Sequence, residues 1–232
     1  MGHEKLGVPH KRNHRRVRSL WRRLVGGDDT VPGDGYVTNI HFSLTGTEGP
    51  PYEEVARFPH LKEWDHKVCN LAGPLPAWVP DKLPKLEEWD FSRNHIVGPI
   101  PESSGDISLL VRFKMQSNHI TGPLPESWSK LSKLEWIRLF DNALTGTIPA
   151  SYSKIAPRLT QVGIGGNKLE GTLYPLAQAR AQNANVSSLP SMCGMIPEGL
   201  QFAYAFDVGG SPNLGLPCPD ELQNGMGDPA DL

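Results

Sequence analysis

Six stretches of this chain are variants of one short pattern. LKEWDHKVCNLAGPLP begins at Leu61, LEEWDFSRNHIVGPIP at Leu86, LVRFKMQSNHITGPLP at Leu110, LEWIRLFDNALTGTIP at Leu134 and LTQVGIGGNKLEGTLYP at Leu159. A weaker copy, VTNIHFSLTGTEGPP, begins at Val37. Starts at 37, 61, 86, 110, 134 and 159 are 24 or 25 residues apart throughout. A unit of that length cannot bury an apolar face alone, so consecutive copies must stack and share one continuous core.

Within each copy, alternation marks a short strand. Trp89 and Phe91, Phe113 and Met115, Ile137 and Leu139, and Val162 and Ile164 are expected to point inward. Stacked copies then form a parallel sheet with strands about 4.8 Å apart. The chain must turn where each strand ends, which exposes backbone N–H and C=O groups inside the coil. Asparagine carries both a donor and an acceptor. Asn94, Asn118, Asn142 and Asn167 occupy that place and are expected to stack as a ladder; Cys69 takes the slot in its copy, as a core thiol, and Thr45 takes it in the first. Gly98, Gly122, Gly146 and Gly171 then permit a left-handed bend, and Pro101, Pro125 and Pro149 suit the turn to the far side.

The shared frame, L-x-x-L-x-L-x-x-N-x-L-x-G-x-[IL]-P, resembles the leucine-rich repeat. Its second half resembles the plant-type subclass found in receptor-like proteins and polygalacturonase inhibitors. The resemblance covers about residues 37–177, and a degenerate copy, CGMIP at Cys193 to Pro197, extends it. It implies an α/β repeat solenoid: a right-handed superhelix with a short parallel β-sheet on the concave face and a mostly irregular or 3₁₀ convex side. It also implies a C-terminal cap in MCGMIPEGLQFAYAFDVGGSPNLGLPCPDE, with Cys193 and Cys218 joined as a disulfide. At the front the family carries a cysteine pair around a Trp. Here Trp21 precedes the first copy but no cysteine lies before Cys69. That departure, with the lack of a recognisable secretory signal, leaves it open whether the true N-terminus lies elsewhere.

Three regions follow: a basic arm at 1–30, expected to be disordered; a repeat domain at 31–219, its degenerate cap at 178–219; and a disordered acidic tail at 220–232. Residues 1–23 hold eight Lys/Arg against Glu4, a charge of +7, and the chain's total of −2 leaves −9 for the rest. No base-reading motif accompanies the arm, so nucleic acid is not the expected partner. No apolar run approaches the roughly 18 residues of a membrane helix. Paired cysteines imply an oxidising compartment. The sequon Asn185-Val186-Ser187, in a stretch that reads as a loop, is a candidate glycosylation site and points the same way.

In a curved repeat sheet the residues flanking the inward pair face the concave side, where equivalent positions are lateral neighbours. One column reads Asn39, Glu63, Glu88, Arg112, Trp136, Gln161; the next His41, Asp65, Asp90, Lys114, Arg138, Gly163; the third Ser43, Lys67, Ser92, Gln116, Phe140, Gly165. Glu63, Asp65, Glu88 and Asp90 make an acidic patch, and Arg112, Lys114 and Arg138 a basic one beside it. Trp136 and Phe140 add aromatics at the basic edge. Exposed Trp, Phe and Arg are the types that anchor interfaces; the bland alternative is a solvated face of offsetting charges. Catalysis has little support: there is no phosphate loop, nucleophile elbow or kinase signature. His95 and His119 share a position in adjacent copies but are too few for a zinc site. No cofactor or metal is expected. The leading expectation is a non-catalytic recognition module, secreted or at the cell surface, that binds a protein, peptide or cell-wall glycan in defence or signalling, with a membrane co-receptor as possible partner. The alternative is an intracellular (cytoplasmic) scaffold or a fragment of a larger receptor-like protein.

Overall fold

The computed structural model describes residues 36–43 and 53–219. The basic arm, Trp21, Thr45 and the acidic tail lie outside the described residues. The described chain winds as a solenoid whose coils each contribute one strand to a concave sheet. Its strands are β1 (Asn39–Ser43), β2 (Glu63–Lys67), β4 (Glu88–Asp90), β6 (Arg112–Lys114), β8 (Trp136–Arg138), β10 (Gln161–Gly163), β12 (Asn183–Asn185) and β14 (Ala205–Asp207). They pair in that order, all parallel. The register aligns Glu63, Glu88, Arg112, Trp136, Gln161, Asn183 and Ala205 across the face. Residues 178–219, where the sequence pattern degenerates, carry β12 and β14 in this same sheet.

A second parallel sheet runs along the array, which the sequence reading did not anticipate. It consists of β3 (Ala72–Gly73), β5 (His95–Gly98), β7 (His119–Gly122), β9 (Ala143–Thr147), β11 (Lys168–Thr172) and β13 (Ser191–Cys193). The segment after each ladder asparagine is extended and pairs with its counterpart in the next coil. A glycine at φ of 78°, 78°, 74° and 80° (Gly98, Gly122, Gly146, Gly171) follows within or at the end of the strand, a conformation that L side chains rarely adopt. The remaining side is built of 3₁₀ turns such as Glu102–Asp106, Glu126–Lys130 and Ala150–Lys154.

The core is one continuous layer between these surfaces. Its N-terminal half is aromatic. Trp64 stacks on Trp89 at 5.9 Å, Trp89 meets Phe113 edge-on at 5.5 Å, and Phe113 meets Trp128 at 4.9 Å. Trp128 donates to Ser104 Oγ at 2.7 Å, and the Tyr152 hydroxyl donates to the Pro125 carbonyl at 3.0 Å, so these deep polar atoms are satisfied.

The asparagines bind coil to coil. Asn94 Oδ1 accepts from the Cys69 and Leu71 amides, and its Nδ2 donates to the His66 and Phe91 carbonyls. Asn118, Asn142 and Asn167 repeat the arrangement, accepting from Ile96, Ile120 and Leu144. Cys69 begins this series with a buried thiol that donates to the Lys67 carbonyl. In the β12 coil the slot holds the buried Leu189, and in the last coil Ser211 takes it. Ser211 Oγ accepts from the Leu189 amide and donates to the Val186 carbonyl.

Cys193 and Cys218 are bonded across a separation of 25 residues and tie β13 to the chain that follows the last coil. A loop of this length contributes about 3 kcal/mol through the unfolded state. Cys218→Ser is therefore expected to fray the terminal coil first. Amide exchange should quicken in β13 and β14 while β4 to β8 stay protected; uniform loss of protection would contradict a locally acting staple.

Candidate binding face

Register makes the charged columns lateral neighbours, and the structure shows them locked together. Glu88 accepts from Arg112 Nε and Lys114 Nζ at once. Lys114 lies 3.7 Å from Asp90, and Arg112 4.0 Å from Glu63. Lys67 pairs with Asp65 at 2.8 Å, and His41 faces Glu63 at 3.2 Å and Asp65 at 3.6 Å. Half-burial pushes the Glu88 carboxyl upward, but hydrogen bonds from Lys114 and Arg112, with their charges, outweigh it and hold the group below its ordinary value. Lys67 is shifted upward by its hydrogen bond to Asp65 and by that carboxylate's charge.

Two expected members of the acidic patch need correction. Asp65 and Asp90 are 6% and 4% exposed, so neither presents an open carboxylate. Each folds back on its own chain, Asp65 within β2 and Asp90 at the end of β4. Asp65 Oδ1 accepts from the Lys67 amide at 3.0 Å. Asp90 Oδ1 accepts from the Ser92 amide at 3.0 Å and its hydroxyl at 2.6 Å. An Asp two residues before a free amide satisfies it locally, and that local bond outcompetes exposure. The separate acidic and basic patches are one ion-pair network, with Glu63 and Glu88 half-buried inside it.

Beyond that network the face changes character. Trp136 is half-buried, its ring flanked by Arg112 at 5.7 Å, Lys114 at 5.2 Å and Arg138 at 4.9 Å. Such placements stabilise a cation over the ring by about 0.5–1 kcal/mol each where solvent is near. Arg138 hydrogen-bonds Gln161 Oε1 through Nε at 2.9 Å and through Nη2. Among the described residues it has no acidic partner, whereas Arg112 and Lys114 both do. Next to it lies a hollow of about 310 Å³, with Phe140 and Phe206 among its walls and Gln161, Asn183, Asn185 and Asp207 around it. The floor is low because side chains are missing: a Cβ on Gly163 would stand 3.0 Å from Phe140 Cδ1.

The structures this fold resembles are plant receptor ectodomains. A TDR receptor structure shares 27% identity and a TM-score of 0.63 over 70% of this chain and 28% of its own. The plant peptide hormone receptor RGFR1, solved with RGF2, shares 26% identity and a TM-score of 0.59 over 70% and 26%. The chain is a plant-type leucine-rich repeat protein. The BIR2 ectodomain from Arabidopsis thaliana adds 26% identity and a TM-score of 0.51, over 59% of this chain and 69% of that one. No family model matches the chain, and no curated protein matches it in sequence. This repeat protein spans about a quarter of the length of the RGFR1 and TDR ectodomains it matches.

His95 and His119 stack at 5.8 Å on the second sheet, away from this face. Among the described residues no group of three His, Cys, Asp or Glu is placed to hold a metal. The residues that sequence reasoning missed are Asn183, Phe206 and Asp207. Their strands, NAN and AFD, lack the leucines that announce a copy. The signal available was their spacing: both continue the inward and outward alternation one coil further on.

Proposed function

We propose that this leucine-rich repeat protein is an extracellular, non-catalytic recognition module that binds an extended peptide bearing an acidic group, along the surface from Trp136 to the hollow beside Phe140. One observation carries the reading. Of the four Lys and Arg residues in these columns, Lys67, Arg112, Lys114 and Arg138, Arg138 alone lacks an acidic partner among the described residues, and it stands between an aromatic surface and a cavity. A charged ligand group there would meet an unneutralised guanidinium, and an apolar side chain could enter the hollow. Glu88, held ionised between two cations, is poorly suited to general-acid chemistry, which needs a raised pKa. The disulfide supports an oxidising compartment. The peptide-bound state of the RGFR1 structure supports the ligand class. Signalling would then depend on a membrane-bound co-receptor that reads the occupied face. A cell-wall glycan is the alternative ligand.

The test is selection from a displayed library of random peptides on the full chain. Enriched peptides are expected to carry Asp or Glu. Arg138→Gln should weaken them about tenfold or more, since a hydrogen bond to a charged group is worth about 1.5–3 kcal/mol. Trp136→Ala should weaken them comparably while unfolding remains cooperative. Enrichment without acidic residues, or undiminished binding by both variants, would remove the reading.

A further inference from the structure

The sequon Asn185-Val186-Ser187 does not lie in a loop. Asn185 is the last residue of β12, and its side chain forms part of the wall of the hollow. Its Oδ1 accepts from Ser187 Oγ at 3.1 Å and from the Ser187 amide at 3.4 Å. That turn directs the oxygen back to the chain. The amide nitrogen on the opposite side of the planar group makes no hydrogen bond among the described residues.

Space beside Asn185 exists because neighbouring side chains are absent. Where the two preceding coils carry Lys114 and Gln116, then Arg138 and Phe140, the adjacent coil carries Gly163 and Gly165. A Cβ on Gly165 would stand 2.0 Å from Asn185 Oδ1, so the observed position of this side chain requires glycine there. Gly163 sets a low floor in the hollow, Gly165 makes room for the Oδ1 of the half-buried acceptor asparagine, and Phe140 and Phe206 supply apolar walls of the kind that stack on the C–H face of a pyranose.

We infer that Asn185 carries an N-linked glycan whose first sugar lodges in this hollow and closes the C-terminal part of the concave face, so that a glycosylated molecule offers the peptide only the surface at Trp136 and Arg138 and an apolar side chain enters the hollow only where Asn185 is unmodified. The inference rests on the extracellular reading above. The chemistry needs a lipid-pyrophosphate-linked oligosaccharide as donor. Asn185 Nδ2 bonds to the anomeric carbon, the bond from that carbon to the pyrophosphate oxygen breaks, and Nδ2 loses one proton. Because Asn185 in the folded coil is half-buried and held by Ser187, the sugar must be added before the coil closes. Occupancy is then fixed at synthesis, and each molecule is permanently open or permanently closed at the hollow.

The test is the full chain, sent into the secretory pathway of a eukaryotic culture by an added leader. Intact mass should show a glycan on Asn185. A peptide-N-glycosidase should release it from denatured protein and only slowly from native protein. Ser151→Asn combined with Asn185→Gln provides the control, because it places a sequon on the 3₁₀ turn at Ala150–Lys154, where the same enzyme should cut native protein readily. Asn185→Gln should also raise capture of library-selected acidic peptides several-fold. An unmodified Asn185 in secreted protein, or release from native protein as fast as from the control, would overturn the inference. Protection of the sugar without any peptide capture by either form would leave the lodged glycan standing and remove the peptide reading.

Discussion

Asn94→Ala is expected to lower stability by about 4 kcal/mol, with backbone amides left unsatisfied as the dominant cause. Asn94 is 5% exposed, and its side chain is the partner of two amides, Cys69 and Leu71, and three carbonyls, His66, Phe91 and Ser92. Carbonyls tolerate a missing partner better than amides do, so the two amides set the scale, at about 1–3 kcal/mol each. The site also joins the β2 coil to the β4 coil, within the aromatic part of the core. In a solenoid each coil contacts only its neighbours, so a weakened junction lets the two sides unfold separately. Asn142→Ala should cost about half as much, because that residue is half-exposed, serves one amide and can be replaced by water. Urea unfolding of both variants decides the matter. Equal losses, or a loss below about 1 kcal/mol at Asn94, would show that the ladder follows the fold and does not hold it.

The difference between these two asparagines shows what a sequence can and cannot display. The frame recurs, so the inward residues, the solenoid and the asparagine slot were all legible from period alone. Trp89, Phe113, Ile137 and Val162 lie where alternation put them. The second sheet was hidden because its strands run through glycine- and proline-rich segments that read as turns; they pair only because the neighbouring coil presents an identical extended segment. Asp65 and Asp90 misled because a carboxylate's choice between solvent and a backbone amide two residues on is a rotamer choice, which column position does not reveal. The hollow was hidden for a different reason. Gly163 and Gly165 read as gaps in their columns, and a site made by absent side chains leaves no residue type to notice. The locking of Glu88 between Arg112 and Lys114, by contrast, was available from the columns once lateral adjacency was taken literally.

Acidification from pH 7 to about 4.5 is expected to cost 2–3 kcal/mol, chiefly through one imidazole. His66 is 2% exposed, and its Nδ1 accepts from Trp64 Nε1 at 2.7 Å. Burial pushes its pKa down to about 3, with the charge of Asp65 opposing the shift. In the unfolded chain the group titrates near its ordinary value of 6.5. Above that value both states are neutral at this residue and it exerts no pH-dependent effect. Between 6.5 and about 3 the unfolded chain binds a proton that the folded chain does not, so stability falls by about 1.4 kcal/mol per pH unit. Protonation in place would set an N–H against the Trp64 N–H, inside the stack that Trp64 forms with Trp89 and Phe91. Glu88 acts in a lower window. Its folded pKa lies below 4.5, so its contribution is present above 4.5 and is lost as pH falls through that lower folded value. The interval from 6.5 to 4.5 therefore isolates His66 from this carboxylate. His66→Gln keeps an acceptor for Trp64 but cannot titrate. Urea midpoints at pH 7 and 4.5 should converge in the variant and separate in the parent chain. An equal fall in both would place the acid sensitivity elsewhere in the coil stack.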